Sequence, residues 1–206
     1  MMRNEFYVYG ASGHSKVIIE ILERSGGIIK GLYDDDPAKK MLFEYHISHK
    51  KTLLGLTGSN WIIGIGNNEA RKKIAENNSL NYGTVIDISA NVSKRVSLGK
   101  GSVIMPGATL NSSAIVGDHG IINTNSSIDH DCVLDDYVHV SPNATLCGGV
   151  KIGEGAHIGA GAVIIPGIRI GKWAKIGAGS IVIKDVPDNA TIVGNPARII
   201  KLHHKK

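Results

Sequence analysis

Aliphatic residues recur at every sixth position through the second half of the chain. The seventeen positions of this series are Ile86, Val92, Leu98, Ile104, Leu110, Val116, Ile122, Ile128, Leu134, Val140, Leu146, Ile152, Ile158, Ile164, Ile170, Ile176 and Val182. A period of six fits neither an α-helix nor a plain strand, and it is typical of a short strand followed by a tight turn. It predicts a parallel β-helix in which three hexads close one triangular coil, so that between five and six coils form and residues 18 apart stack.

Short apolar runs alternate with amphipathic segments over the first 84 residues. We predict strands at 5–9, 28–33 and 61–65, and helices at about 14–24 and 70–77. This alternation predicts a small parallel α/β sheet of the Rossmann-like kind. The chain is therefore expected to contain two domains, residues 1–84 and residues 85–206, with a tail at the end of the second.

Three turns of the first domain are rich in glycine, aspartate or asparagine and follow predicted strands. Their candidate ligand-binding residues are Gly10, Ser12, Gly13, His14, Asp34, Asp35, Gly66 and Asn67. Free backbone N–H groups in such a turn can hold a phosphate, and an acid after the second strand can hold a ribose. Because Ser12 occupies the second glycine position of the dinucleotide fingerprint, we expect a nucleotide other than NAD and disfavour an oxidoreductase.

Composition narrows the classes of partner and location. The net charge of +5 is not gathered into a basic stripe interleaved with aromatic residues, so we expect no nucleic-acid partner. No window approaches 18 consecutive apolar residues, and the N-terminus lacks the apolar run of a signal peptide. With only two cysteines, Cys132 and Cys147, we expect a cytoplasmic protein with free thiols and no membrane span.

The densest polar cluster of the repeat region lies at residues 123–132. Within it, His130 titrates near neutral pH, and either Asp129 or Asp131 could hold its tautomer. Gly148 lies 18 residues after His130, so we expect it one coil above, where it leaves room for a thioester and offers a backbone N–H to an oxyanion. The same spacing stacks His139 and His157 in a second column.

Together, the hexads and the turns at 10–15, 34–36 and 64–69 resemble one branch of the bacterial hexapeptide acyltransferases. This branch is the sialic acid O-acetyltransferase type, and the resemblance is strongest to the UDP-4-amino-sugar N-acetyltransferases. It covers nearly the whole chain. The resemblance implies a left-handed β-helix, a nucleotide-linked amino sugar held by the first domain, acetyl-CoA lying along the β-helix, and a homotrimer.

The resemblance also implies roles for individual residues. Gly13 and His14 would meet the pyrophosphate, Asp34 or Asp35 the uridine or its ribose, and Asn123 the sugar. His130-Asp131-Cys132 matches the triplet that carries the family's catalytic histidine, with Asp131 where close relatives have Glu. The positions implied for acetyl-CoA are His139, Gly148, Ala160, Gly161, Gly177, Ala178 and Pro196, the last within a closing segment at 193–198.

We therefore predict acetyl-CoA-dependent N-acetylation of a nucleotide-linked 4-amino sugar, with His130, Asp131 and Gly148 as the catalytic residues and no metal. The alternative acceptor is a hydroxyl group, as in O-acetylation of sialic acid. A zinc enzyme of the carbonic anhydrase kind is disfavoured because it needs closely spaced histidines, whereas His130 and His139 are nine apart. A non-catalytic scaffold would not need the polar cluster around His130.

Overall fold

A five-stranded sheet with two helices precedes a β-helix in the computed structural model, which describes residues 5–49 and 59–203. The elements of the first unit are β1 (Glu5–Tyr9), α1 (Gly13–Arg24), β2 (Ile28–Tyr33), β3 (Met41–Leu42), β4 (Tyr45–Ser48), β5 (Asn60–Ile63) and α2 (Asn68–Asn77). Residues 1–4, at the N-terminus where we expect no signal peptide, lie outside the described residues.

The predicted small parallel sheet is confirmed, and the structure adds a short hairpin at its edge. Its strand order is β3-β4-β2-β1-β5. The strands β4, β2, β1 and β5 are parallel, whereas β3 pairs antiparallel with β4. The two added strands form a short hairpin over 41–48, which the sequence pattern did not predict because its strands are only two and four residues long. Because β1, β2 and β5 run in parallel, the three predicted ligand turns meet at one edge.

Within the described residues, the β-helix has seventeen two-residue strands between 85 and 182. A longer hairpin follows them at 190–202. Face 1 carries β6 (Val85–Ile86), β9 (Val103–Ile104), β12 (Ile121–Ile122), β15 (His139–Val140), β18 (His157–Ile158), β21 (Lys175–Ile176), β23 (Ala190–Gly194) and β24 (Ala197–Leu202). Face 2 carries β7 (Asn91–Val92), β10 (Thr109–Leu110), β13 (Ser127–Ile128), β16 (Thr145–Leu146), β19 (Val163–Ile164) and β22 (Ile181–Val182). Face 3 carries β8 (Ser97–Leu98), β11 (Ile115–Val116), β14 (Val133–Leu134), β17 (Lys151–Ile152) and β20 (Arg169–Ile170).

From β6 to β19 each strand pairs in parallel with the strand 18 residues later, as His139 pairs with His157, which confirms the predicted column rule. The β-helix is left-handed. From Ile104 to Val182 every residue of the aliphatic series is at most 3% exposed. Ile86 is 40% exposed, and Val92 and Leu98 are only partly buried, because these three residues belong to the first coil and no coil lies beneath them. Truncating one of the buried isoleucine or leucine residues to alanine would lower the free energy of unfolding by about 2–5 kcal/mol.

Many corners of the β-helix contain a residue with left-handed backbone geometry. Glycines fill several of these positions, as at Gly149 and Gly161, and asparagine, aspartate or aromatic residues fill others, as at Asp131 and His119. Glycine, asparagine and aspartate tolerate positive φ best, which explains their frequency after the strands.

The first unit packs on face 1 and on the corner between faces 3 and 1. Asn68 of α2 donates through Nδ2 to the carbonyl oxygen of Gly155 at 3.0 Å, and Lys72 forms an ion pair with Glu154. At the other end of the unit, Arg24 of α1 forms an ion pair with buried Asp87. These contacts place one edge of the first sheet over face 1. That edge carries the three predicted ligand turns, at 10–15, 34–36 and 64–69, which are called the nucleotide turns below.

Candidate active site

The turn after β1 leaves backbone N–H groups open to solvent. Gly10 has φ +103°, and a β-carbon there would lie 2.9 Å from Cδ1 of Ile65, so glycine is required. Ser12 precedes α1 and makes no side-chain cap, and both Ser12 and Gly13 are exposed. A β-carbon at Gly13 would meet nothing within 4 Å. The free N–H groups of the first helical turn can therefore receive an anionic ligand.

Asp34 and Asp35 form the second side of this edge. Asp34 Oδ2 accepts hydrogen bonds from the N–H of Ala11 at 2.7 Å and from Lys39 Nζ at 2.8 Å. Burial raises the pKa of Asp34, but the hydrogen bonds from Lys39 and the backbone outweigh it, so the net pKa is lowered and the carboxylate stays charged.

Asp35 faces a cavity between the sheet edge and α2. Its carboxylate accepts from the hydroxyls of Tyr9 at 2.8 Å and Tyr33 at 3.1 Å. The cavity measures about 460 Å³ and is also lined by residues of α2, including Lys73 and Asn77. A largely apolar cavity with a few polar side chains, next to the turn after β1, is suited to a nucleoside, with Asp35 as hydrogen-bond acceptor.

His139 of β15 joins the first unit to the β-helix. Its Nδ1 lies 3.3 Å from the carbonyl oxygen of Gly66, and its Nε2 lies 3.0 Å from Nδ2 of Asn123. Its ring centroid is 4.7 Å from that of His157 and 6.2 Å from that of His14. Burial, and then the charges of His157 and Arg71, lowers the pKa of His139 to about 3; burial, and then Arg71, lowers that of His14 to about 4. Both rings are therefore neutral at pH 7.

Between α2 and face 1 lies a second cavity, of about 420 Å³. It is lined by His139, His157, Lys175 and the turn from Gly66 to Glu69. Asn67 caps α2, since its Oδ1 accepts from the N–H of Ala70 at 2.9 Å. Of the predicted residues, Gly66, Asn67 and His139 line this cavity, and Asn123 and His14 lie beside His139.

His130 lies elsewhere, on the corner between faces 2 and 3. Its Nδ1 is 2.7 Å from Oδ2 of Asp131, so the shorter aspartate reaches the ring. The hydrogen bond to Asp131, together with the charge of Asp129, raises the pKa of His130. The side chain is 61% exposed, as expected for a group that meets a ligand from solution.

Gly148 stacks directly over His130, as the spacing of 18 predicts. A β-carbon at Gly148 would lie 2.7 Å from Cε1 of His130, so the space over the ring depends on the glycine. Asp129 accepts from Asn111 Nδ2 at 2.9 Å and from the N–H of His130 at 2.8 Å. The Gly148 N–H also interacts with the Asp129 carboxylate, which helps to lower the pKa of Asp129 after the larger effect of Asn111.

Four of the seven positions expected to hold acetyl-CoA lie on the third corner, between faces 1 and 2, whereas His139 lies on face 1 and Gly148 on the corner with His130. Ala160, Gly161 and Ala178 are exposed there and Gly177 is half-buried. Asn123 lies on the same corner, lower along the β-helix. Pro196 lies in the turn between β23 and β24, at the far end.

One chain thus separates the predicted site into two groups. The corner that carries His130 joins faces 2 and 3, so it lies opposite face 1, where the nucleotide turns and His139 are gathered. Within a single chain, His130 does not meet these residues.

Several residues that the sequence interpretation did not single out build the site. Ser15 Oγ lies 2.6 Å from the carbonyl oxygen of Gly10 and 3.0 Å from that of Gly64, so it ties two turns together. Arg71 contacts both units. These roles could not be recognised from the residue types, because serine and arginine on an amphipathic helix normally face solvent.

Among residues 5–49 and 59–203, no group of three metal-binding side chains comes together. In the same part of the chain, none of the helices has the length and apolar character needed to cross a membrane.

Both parts of the chain match known protein families. Residues 5–78 match the family model of the PglD N-terminal domain, and residues 149–184 match the bacterial transferase hexapeptide family (six repeats). A sequence search of curated proteins finds no match.

Solved structures match nearly the full length. A mutant of perosamine N-acetyltransferase from Caulobacter crescentus, in complex with CoA and GDP-perosamine, is 34% identical with a TM-score of 0.90, over 96% of this chain and 97% of that one. The acetyltransferase domain of PglB from Neisseria gonorrhoeae, in complex with acetyl coenzyme A, is 32% identical with a TM-score of 0.89, over 96% and 100%. WeeI from Acinetobacter baumannii is 30% identical with a TM-score of 0.87, over 95% and 99%. The chain belongs to the hexapeptide-repeat family of acetyl-CoA-dependent sugar N-acetyltransferases.

Proposed function

We propose that this enzyme transfers the acetyl group of acetyl-CoA to the amino group of a nucleotide-linked 4-amino sugar. The observation that carries the proposal is the His130–Asp131 pair beneath the open space at Gly148. The acceptor class is supported by the relative from Caulobacter crescentus, which is a perosamine N-acetyltransferase in complex with CoA and GDP-perosamine.

His130 is the general base of the proposed reaction. Asp131 accepts a hydrogen bond from Nδ1–H, which leaves the lone pair of Nε2 free on the side of Gly148. As the sugar amine attacks the thioester carbonyl carbon, Nε2 takes a proton from the nitrogen. The tetrahedral intermediate then collapses, the carbon–sulfur bond breaks, and CoA leaves as the thiolate.

The Gly148 N–H is the proposed donor to the oxyanion. Because this N–H interacts with the Asp129 carboxylate in the structure, it serves the oxyanion only when that carboxylate turns away. Asp129 is held by Asn111 and by the His130 N–H, so these two contacts set the position of the competing charge.

The complete site is proposed to form between subunits of a homotrimer. His130 lies on the corner opposite face 1, whereas the nucleotide turns and His139 lie over face 1. A neighbouring chain packed beside this one can bring its His130 corner to the cleft, and threefold packing closes the assembly. Ala160, Gly161, Gly177, Ala178 and Pro196 are proposed to receive acetyl-CoA along that seam. Both cysteines are free thiols, which supports a proposed cytoplasmic location.

A CoA-release assay against UDP-, dTDP- and GDP-linked 4-amino sugars and free sialic acids tests the function. We expect release with one of the nucleotide-linked amines, and a product with one acetyl group that resists mild base, as an amide does. His130→Ala should lower kcat by about 10²–10⁴-fold, the usual contribution of a general base.

His46→Ala is the matched control, because His46 is an exposed histidine on β4 away from the proposed site. A base-labile product would show that the acceptor is a hydroxyl group. Normal turnover of His130→Ala at saturating substrates would contradict the role of His130.

A further inference from the structure

The cationic side chain of Arg71 is buried in the junction between the first unit and the β-helix. It belongs to α2 and is only 1% exposed. Its Nε donates to the carbonyl oxygen of His119 at 2.9 Å, and one terminal nitrogen donates to that of Tyr137 at 2.8 Å. The other terminal nitrogen lies 3.1 Å from the carbonyl oxygen of Ile65 and 3.3 Å from that of Gly66. The guanidinium therefore bridges the β-helix and the turn after β5.

No carboxylate pairs with Arg71 among the residues that the structure describes. Burying a cation in this way is costly, and only a full set of acceptors makes it tolerable. Burial lowers the pKa of Arg71 to about 9. Simple attachment of α2 to the β-helix does not require this arrangement, because the neighbouring Lys72 already pairs with Glu154 at the surface of the same junction.

Hydrogen bonds continue from Arg71 into the proposed site. The carbonyl oxygen of Gly66 faces both Arg71 and Nδ1 of His139. Because a carbonyl oxygen can only accept, Nδ1 of His139 carries the proton, and Nε2 accepts from Nδ2 of Asn123. Asn123 Oδ1 in turn accepts from the N–H of Thr124 at 2.8 Å. The orientations of His139 and Asn123 are thus fixed in series from the Gly66 carbonyl.

We propose that Arg71 is a positioning residue, which holds the Gly66 carbonyl against His139 and thereby sets the tautomer of His139 and the orientation of the Asn123 amide. The proposal rests on the proposed function and on the contacts that the family resemblance implies, those of His139 with acetyl-CoA and of Asn123 with the sugar. The same guanidinium sets the distance between the turn after β5 and the corner between faces 3 and 1, because it bonds to both.

The variant Arg71→Lys tests the proposal. Lysine keeps the charge but has one nitrogen and three donors, so it cannot reach all the carbonyls of the junction. We expect kcat with the best acceptor to fall about 10- to 100-fold, since small misplacements of reacting groups have effects of this size. The control is Lys72→Ala. This change on the same helix removes the ion pair between Lys72 and Glu154 of the β-helix, and it should leave kcat within about twofold.

A second readout does not require turnover. In long-range ¹H–¹⁵N spectra of histidine-labelled protein, the His139 signals are assigned by their loss in His139→Gln. Wild-type protein and Lys72→Ala should show His139 with the proton on Nδ1, and Arg71→Lys should show a mixture of the two tautomers. If Arg71→Lys does not fold, Arg71→Gln takes its place; failure of both to fold would contradict the proposal, because it would make Arg71 a residue of stability alone.

Arg71→Lys protein with an unchanged His139 tautomer, and with kcat equal to that of Lys72→Ala, would overturn the proposal. Absence of acetyl transfer by the wild-type enzyme to every acceptor tested would instead contradict the proposed function. In that event, the His139 tautomer alone still decides the positioning role of Arg71.

Discussion

Gly148 lies directly over the imidazole of His130, one coil further along the same corner of the β-helix. A β-carbon at Gly148 would lie 2.7 Å from Cε1 and 2.8 Å from Nε2 of that ring. The exposed ring can turn outward, so a side chain at this position should be accommodated without unfolding the protein. The space over the ring would nevertheless be lost to an incoming thioester.

Gly148→Ala should therefore lower kcat by at least about tenfold and raise the KM for acetyl-CoA, because the methyl group displaces Nε2 of His130. The KM for the nucleotide sugar should stay close to the wild-type value. Steady-state kinetics with each substrate varied in turn measure these constants, and the thermal unfolding midpoint serves as the control for folding. Wild-type kinetics in this variant would place the acyl group elsewhere.

Asp131→Asn should move the pH dependence of the reaction. Only neutral His130 can act as a base, and the hydrogen bond to Asp131 raises its pKa above the ordinary 6.5. Activity should therefore rise with pH through a pKa above 6.5 in the wild-type enzyme. Without the Asp131 carboxylate that pKa falls, so the rising limb of kcat/KM should shift to lower pH while the maximum decreases. A limb at the same pH in both proteins would show that another group titrates.

Asp35→Ala should weaken binding of the nucleotide sugar at least about tenfold and leave acetyl-CoA binding unchanged. The Asp35 carboxylate faces the cavity next to the turn after β1. Loss of a hydrogen bond to a charged group has an effect of this order on binding. Isothermal titration calorimetry with each ligand separately measures the two affinities. Equal losses for both ligands would contradict the assignment of the two ligands to different parts of the molecule.

Mixing two inactive variants tests whether neighbouring chains share each site. His130→Ala lacks the base, and Gly13→Glu places a negative charge in the open turn where the phosphates are proposed to bind. If the nucleotide turn comes from one chain and His130 from the next, each mixed trimer regains one intact site. Random mixing should then restore about a quarter of normal activity. Background activity after demonstrated subunit exchange would place the whole site in one chain.

The hexad period was sufficient to predict the β-helix and its columns. Gly148 over His130 and His157 over His139 follow from the spacing of 18 alone, because each coil repeats the previous one. Handedness does not follow from spacing and came from the family resemblance. Ile86 shows where the rule weakens, since an end coil has a neighbour on one side only.

The junction of the two units could not be predicted from the sequence. Arg71 lies in a polar helix, where an arginine is normally solvated, and its burial depends on carbonyl groups far away in the chain, such as that of Tyr137. The hairpin of β3 and β4 was missed because its first strand is only two residues long. The separation of His130 from the nucleotide turns likewise became visible only when the faces of the β-helix were known.

The hairpin of β23 and β24 has a consequence for how the molecule behaves in solution. A parallel β-helix has an exposed strand edge at each open end, onto which a second chain could continue the same ladder and form a fibre. On face 1, β23 follows β21, and β24 then pairs with it in the antiparallel direction, with a register shift between Thr191 and Ile192. Another β-helix cannot extend this face with its parallel two-residue strands, so the hairpin opposes end-to-end polymerisation.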